Sequence, residues 1–200
     1  MHTHKIGYFV GSLASTSINR TLSKALLKLA PDDLEFAEIS IRDLPLYSQD
    51  FDADFPPPAR ALKKAIEASN GILFVSPEFN RSIPGGLKNA IDWGSRPWGS
   101  NSFAMRPTGI IGASPGGIGT AVMQSSMRSV LSFLDAPQLN APEAYITFSA
   151  DVFGDDGEVM DEATAGFLRH FMEEFDAFVQ RVLSANAPGH IGDSDPETMK

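Results

Sequence analysis

Residues 71–93 have the sequence GILFVSPEFNRSIPGGLKNAIDW. The segment from Gly71 to Ser76 is apolar almost throughout, which is typical of a strand buried on both faces of a parallel sheet. A loop with two prolines follows, and Pro84-Gly85-Gly86 opens a predicted helix that runs to about Trp93. The segment therefore predicts a strand, a rigid loop and a helix in succession.

The same order of strand, loop and helix recurs along the chain. The predicted strands are 5–10, 34–41, 71–76, 108–113 and 144–148, and the predicted helices are 17–30, 57–69, 84–93, a fourth lined by Met123, Met127, Val130, Leu131 and Leu134, and 161–185. This alternation predicts a doubly wound α/β fold, in which a five-stranded parallel sheet has helices on both faces. At 200 residues we expect a single domain over 1–200, with a loose polar tail from about 186 to 200.

Composition excludes several classes of function. The net charge is −9, the wrong sign for neutralising nucleic-acid phosphates or an anionic membrane, so neither partner is expected. The chain has no cysteine, which excludes disulfides, thiolate nucleophiles and cysteine-ligated metal centres. The four histidines, His2, His4, His170 and His190, share no ligand spacing, so no metal site is expected. The short apolar start at 6–10 and the absence of a long apolar run predict neither a signal peptide nor a transmembrane helix, and a cytoplasmic location is the expectation.

Three loops combine features of a ligand site. In open α/β sheets, ligands bind at the carboxyl ends of the strands. These loops follow the first, third and fourth predicted strands and are called the first, third and fourth loops. Residues 11–20, GSLASTSINR, place four hydroxyls before a helix N-terminus, which suits a terminal phosphate. A plainer alternative is that Ser17 simply caps the helix and the other hydroxyls are surface loop.

The other two loops suit a flat ligand. In the loop at 76–84, Glu78, Asn80 and backbone amides offer hydrogen bonds to a planar heteroaromatic ring. In the loop at 113–120, ASPGGIGT, three glycines let the backbone approach such a ring closely, although an ordinary tight turn explains them equally well. A dinucleotide Gly-x-Gly-x-x-Gly is absent from the first loop, and the glycines of the fourth loop lack the Lys-Ser/Thr of a nucleotide triphosphatase.

These loops together resemble the NADPH-dependent FMN reductases, in particular the bacterial branch that includes chromate and quinone reductases. The resemblance is carried by three segments: GSL at 11–13 followed by Ser17 and Asn19-Arg20, PEFN at 77–80 followed by Ser82 and PGGLKNAIDW at 84–93, and ASPGG at 113–117. It covers nearly the whole chain. It implies a flavodoxin-like sheet in the order 2-1-3-4-5, bound FMN, and NADPH or NADH as electron donor.

The resemblance also implies a set of cofactor-binding residues. Those expected at the FMN phosphate are Ser12, Ser17, Ile18 and Asn19, and those expected around the ribityl chain and the isoalloxazine ring are Pro77, Glu78, Phe79, Asn80, Ser114, Pro115, Gly116 and Gly117. The family usually has Arg where this chain has Ala14, and Tyr where it has Phe79. A lost charge-assisted hydrogen bond costs about 1.5–3 kcal/mol, so FMN is held more weakly unless Arg20 or another cation compensates.

The implied reaction passes electrons from NAD(P)H through FMN to a small-molecule acceptor: a quinone, a free flavin, a ferric chelate or chromate. The flavin carries the chemistry, so no side chain is predicted to be catalytic, and a homodimer or homotetramer is expected. Arg96 and Trp98 either close over the nicotinamide or form a subunit interface. Two alternatives stay open from the sequence: an electron-carrying flavodoxin without NAD(P)H activity, and a non-catalytic binding module on the same fold.

Overall fold

The computed structural model describes residues Thr3 to Asn186. The strands are β1 (His4–Val10), β2 (Leu34–Glu38), β3 (Gly71–Val75), β4 (Thr108–Ser114) and β5 (Ala144–Thr147). The α-helices are α1 (Ile18–Leu29), α2 (Pro57–Glu67), α3 (Gly85–Gly94), α4 (Ala121–Phe133) and α5 (Glu162–Ala185), and a short 3-10 helix spans Gln49–Phe51. Pro57 is the first residue of α2, in agreement with the predicted helix entry at the proline run.

The five strands form one parallel sheet in the order β2-β1-β3-β4-β5. The predicted flavodoxin-like architecture is thereby confirmed. The chain moves outward from β1 to β2 and then crosses back over β1 to β3, so the strand order reverses between β1 and β3. The loop after β1 leads to α1 on one face of the sheet and the loop after β3 leads to α3 on the other, so the two diverge at the carboxyl edge, where open α/β sheets bind their ligands in a crevice.

Two apolar cores lie on opposite faces of the sheet. Helices α1 and α5 cover one face through Leu22, Leu26, Leu168 and Phe171, which are buried with the inward side chains of β1, β3 and β4. Helices α2, α3 and α4 cover the other face. Leu87, Ile91 and Trp93 of α3 belong to this second core, as the apolar spacing of that helix predicts.

Several element boundaries differ from the sequence prediction. Strand β2 ends at Glu38, although the prediction continued it to residue 41. The backbone N–H of Ile39 still donates to the carbonyl of Tyr8 at 2.8 Å, but the chain then leaves the sheet edge, and Ile39 and Ile41 pack into the core beneath α2 and α3. Their apolar side chains give this segment the sequence pattern of a strand, although they pack between the sheet and the helices.

The remaining differences are of one or two residues, at frayed or capped ends. The first strand begins at His4 and not at residue 5, β3 ends one residue before Ser76, β4 ends one residue later than predicted, at Ser114, and β5 ends one residue earlier, at Thr147. Helix α1 spans Ile18–Leu29 and not 17–30, α2 ends at Glu67 and not at residue 69, α3 is shifted by one residue to Gly85–Gly94, α5 begins at Glu162 and not at residue 161, and Leu134, predicted within the fourth helix, is the C-cap residue of α4. The expected loose tail lies outside the described residues from 187 onward and stays a prediction. Within Thr3–Asn186, no helix has the length and apolar character needed to cross a membrane.

Candidate functional site

The loops after β1, β3 and β4 lie side by side, as the parallel sheet requires. The N–H of Gly11 donates to the carbonyl of Val75 at 2.9 Å, and the N–H of Ser76 donates to the carbonyl of Ile111 at 3.0 Å. The ends of β1, β3 and β4 are therefore hydrogen-bonded to one another. Gly112 allows this close approach, because a Cβ there would clash with the carbonyl oxygen of Ser76 and with the side chain of Thr120. The three loops predicted from sequence to form one site therefore meet.

The first loop presents free hydrogen-bond donors at the N-terminus of α1. Ser17 is the N-cap residue, but its side chain makes no capping hydrogen bond. The backbone N–H groups of Ile18 and Asn19 have no acceptor within residues 3–186. Ser12 accepts a long hydrogen bond of 3.3 Å from the N–H of Ala14. These groups and the positive end of the helix are the donor set that an anionic phosphate needs.

The side chain of Asn19 has a structural partner. It is fully buried, its Nδ2 donates to the carbonyl of Ala113 at 2.9 Å, and its Oδ1 accepts from the N–H of Ala113 at 2.8 Å. This pair of bonds ties the start of α1 to the end of β4. A phosphate contact from Asn19 would therefore come from its backbone N–H.

The third loop forms a tight hairpin at its tip. The N–H groups of Phe79 and Ser82 donate to each other's carbonyls at 3.1 and 3.0 Å, and the two intervening residues, Asn80 and Arg81, have φ of 52° and 61°. Asn tolerates this left-handed conformation better than Arg does, so the turn carries local strain at Arg81. The turn leaves the ring of Phe79 52% exposed beside the crevice.

Glu78 joins the third loop to helix α4. Its side chain is only 8% exposed, and its Oε2 accepts from the backbone N–H groups of Val122 and Met123, both at 3.0 Å. Arg81 donates to the other carboxylate oxygen at 3.2 Å. The carboxylate thus satisfies the free amides at the start of α4, and Glu78 offers a ligand its backbone rather than its side chain.

The fourth loop exposes its backbone. The N–H of Gly116 donates to Oγ of Ser114 at 3.1 Å, and the N–H of Gly119, which has φ of +56°, donates to the carbonyl of Gly116 at 3.0 Å. A Cβ at Gly117 would meet no heavy atom within 4 Å. The exposed run of Pro115, Gly116 and Gly117 therefore offers a flat ligand an unobstructed peptide surface.

Two cations near the first loop differ in how they are used. Arg20, named from the sequence as a possible compensating cation, is committed elsewhere: its Nη1 and Nη2 each donate to a carboxylate oxygen of Glu38 at 2.9 Å. This bidentate contact from Arg20 lowers the pKa of Glu38, while burial raises the pKa of the neighbouring Tyr8. Arg42, which sequence reasoning missed, donates from Nη2 to the carbonyl of Leu13 at 3.1 Å. No sequence signal could have placed Arg42 there, because it enters from the loop after β2.

Comparison with known proteins gives one consistent result. The model of the family described as NADPH-dependent FMN reductase matches residues 4–151. A 2-hydroxy-1,4-benzoquinone reductase of Burkholderia is 47% identical over 176 residues, which cover 88% of this chain and 96% of that protein. A quinone reductase of Pseudomonas putida is 43% identical over 178 residues, which cover 88% and 95% of the two chains.

A solved structure is similar over almost the same span. It is that of FerB, a flavoenzyme NAD(P)H:(acceptor) oxidoreductase from Paracoccus denitrificans, with a TM-score of 0.86 and 42% sequence identity. The alignment covers 90% of this chain and 98% of that one. The similarity in sequence and the similarity in fold therefore agree. No group of three or more His, Cys, Asp or Glu side chains in the described part of the chain could hold a metal ion.

Proposed function

This chain belongs to the NADPH-dependent FMN reductase family, and we propose that it passes two electrons from NAD(P)H, through FMN held by the three loops, to a quinone. The observation that supports this most directly is the pair of backbone donors at Ile18 and Asn19 that have no acceptor within residues 3–186, next to the exposed peptides of Pro115 to Gly117. A flavin nucleotide has an anionic end and a flat end, and the two parts of the crevice match them.

Most of the predicted binding residues would act through their backbone or a hydroxyl. Ser12, Ser17 and the N–H groups of Ile18 and Asn19 would hold the phosphate, since they surround the positive end of α1. Residues 77–80 and 114–117 would enclose the ring, with Phe79 as an apolar wall and the peptides near Gly116 as fixed donors. FMN itself would supply the redox chemistry, by taking a hydride from NAD(P)H and giving two electrons to an acceptor that also takes up two protons.

Quinones are the acceptor class that we favour among those expected from the sequence. Two of the relatives are named as reductases of quinones, and both align over 88% of this chain. A planar quinone could stack on the same exposed face of the site that receives the nicotinamide, so one crevice would serve both half-reactions.

We further propose that the active form is a homodimer or a homotetramer. Trp98 and Phe133 are 78% and 71% exposed, and their ring centroids lie 6.4 Å apart across the ends of α3 and α4. Arg96 lies over the indole, 5.6 Å from its centroid. An exposed aromatic pair with a stacked guanidinium is typical of the centre of a protein interface, which favours the interface role of Trp98 over closure on the nicotinamide.

The proposal is tested by a spectrum and a turnover assay. Protein equilibrated with FMN and desalted should keep the visible flavin absorbance, which should bleach with anaerobic NADPH or NADH and return when benzoquinone is added. Flavin that is retained but not bleached by either nucleotide would point to an electron carrier instead. Flavin that is not retained would contradict the proposal.

The position of the ring is tested separately. Gly116→Trp should lower FMN affinity strongly, because the indole would occupy the open space above the fourth loop. Gly166→Trp is the matched control: a Cβ at Gly116 would meet only Oγ of Ser114, at 3.5 Å, and a Cβ at Gly166 of α5 would meet no heavy atom within 4 Å, but Gly166 lies outside the three loops. Unchanged FMN binding by a folded Gly116→Trp variant would refute this placement.

A further inference from the structure

We propose that Arg42 supplies the positive charge for the flavin phosphate, and that this residue makes the site select FMN over riboflavin. The inference rests on the proposed function, because it concerns the same crevice. It identifies a specificity-determining residue that belongs to none of the three loops predicted from the sequence.

The first loop has no charge of its own for a phosphate. Residues 11–19 contain neither Lys nor Arg, so the loop contributes only hydroxyls and backbone N–H groups. Arg20 follows directly, but both of its terminal nitrogens are bonded to Glu38, which also accepts at 3.4 Å from the hydroxyl of Tyr8. With a net charge of −9 on the chain, a dianionic phosphate gains little from the general field of the protein.

Arg42 approaches this loop from the segment that follows β2. It follows β2, its backbone N–H donates to Oγ of Ser40 at 3.2 Å, and its guanidinium donates from Nη2 to the carbonyl of Leu13 at 3.1 Å. Leu13 immediately precedes Ala14 in the loop that leads to the N-terminus of α1. A guanidinium carries five N–H donors, so the contact with Leu13 leaves others for an anion at the rim of the loop.

The same contact bears on position 14, where this chain has Ala and the family usually has Arg. With Ala at position 14 the loop offers no cation there, and Arg42 would bring a planar, always charged group to the neighbouring carbonyl of Leu13 from the segment after β2. Its bond to the carbonyl of Leu13 would hold the guanidinium at the loop before the ligand arrives. A preorganised charge improves binding because less side-chain freedom is lost when the phosphate docks.

The test is a pair of fluorescence titrations of the apoprotein, one with FMN and one with riboflavin, which lacks the phosphate. Arg42→Ala should weaken FMN binding about 10- to 100-fold, the range expected for one charge-assisted hydrogen bond, and leave riboflavin binding unchanged. Arg42→Lys should retain part of the FMN affinity. Added salt should weaken FMN binding more in the wild type than in Arg42→Ala.

The matched control is Arg181→Ala, which removes an exposed guanidinium that lies over Phe178 near the end of α5 and should bind both flavins like the wild type. An equal loss for both flavins in Arg42→Ala would show that Arg42 only supports the loop, and unchanged FMN binding would overturn the proposal outright. Unchanged FMN binding with a raised KM for NADPH but not for NADH would assign Arg42 to the phosphate of the donor instead. A wild type that binds neither flavin would refute the proposed function itself.

Discussion

At the scale of single residues, the side chain of Asn19 ties the first loop to the end of β4. It is fully buried, and both atoms of its amide bond the backbone of Ala113. Asn19→Ala should lower the free energy of unfolding by about 1–3 kcal/mol for each group of Ala113 left without a partner. Ser23→Ala is the control, because buried Ser23 loses only a bond to the carbonyl of Arg20 in its own helix. Denaturant unfolding of the two variants checks this, and equal small effects would contradict the role assigned to Asn19.

A second residue-scale prediction concerns pH. The pKa of Glu38 is below its ordinary value of 4.5, chiefly because Arg20 donates to the carboxylate. A lowered pKa in the folded state stabilises the protein above the ordinary pKa, and this stabilisation is lost as the pH falls through the lowered pKa. Glu38→Gln should therefore reduce the Tm at about pH 7 and converge with the wild type in strong acid.

The matched control for this pH series is Glu35→Gln, an exposed residue of the same strand for which no ion pair is found among residues 3–186. Its Tm should follow that of the wild type throughout. A difference between Glu38→Gln and the wild type that stays constant with pH would show that the side chain acts through packing and not through its charge.

At the scale of elements, Glu78 couples the third loop to helix α4. Glu78→Ala should destabilise the protein by about 1–3 kcal/mol, because it leaves the N–H groups of Val122 and Met123 without their acceptor. The direct measurement is hydrogen exchange, which should accelerate at these two amides. Arg81→Ala is the control: its ion pair with Glu78 is formed by a side chain that is 66% exposed and should contribute little. Unchanged exchange at Val122 and Met123 would contradict the coupling.

The elements also show which features can be predicted from a sequence. Strands β3 and β4 are buried apolar runs bounded by Gly and Pro, so periodicity and turn chemistry identify them directly. The end of β2 could not be predicted in this way, because Ile39 and Ile41 are also apolar but pack into the core formed with α2 and α3. Hydrophobicity indicates that a residue is buried but does not indicate against which element.

The candidate site was predictable to the same extent. The carboxyl-edge rule and the composition of the loops at 11–20, 76–84 and 113–120 identified the crevice, since both depend on local sequence. The partners of Asn19, Glu78 and Arg42 lie 94, 44 and 29 residues away in the chain, at Ala113, Val122 and Leu13. Such contacts are set by the path of the sheet and leave no local pattern.

At the scale of the whole molecule, a single copy leaves the exposed aromatic pair of Trp98 and Phe133 unexplained. Large apolar side chains exposed in contact with each other are costly in water, and a two-fold interface would bury four of them at once. We therefore expect light scattering of the wild type to give the mass of a dimer or a tetramer. Phe133→Glu should shift the mass toward the monomer without lowering the Tm of the monomer, because the ring is 71% exposed.

Met160→Glu is the control for this last experiment, because Met160 is also exposed, at 58%, but precedes α5 and is remote in sequence from the ends of α3 and α4. Its mass should equal that of the wild type, since a single exposed apolar side chain is common on protein surfaces. If Phe133→Glu keeps the wild-type mass, the interface lies elsewhere, and the aromatic pair is left to act as a lid over the nicotinamide. The KM for NAD(P)H would then distinguish the lid from the interface, because Trp98→Ala would raise this KM while the oligomer stays intact.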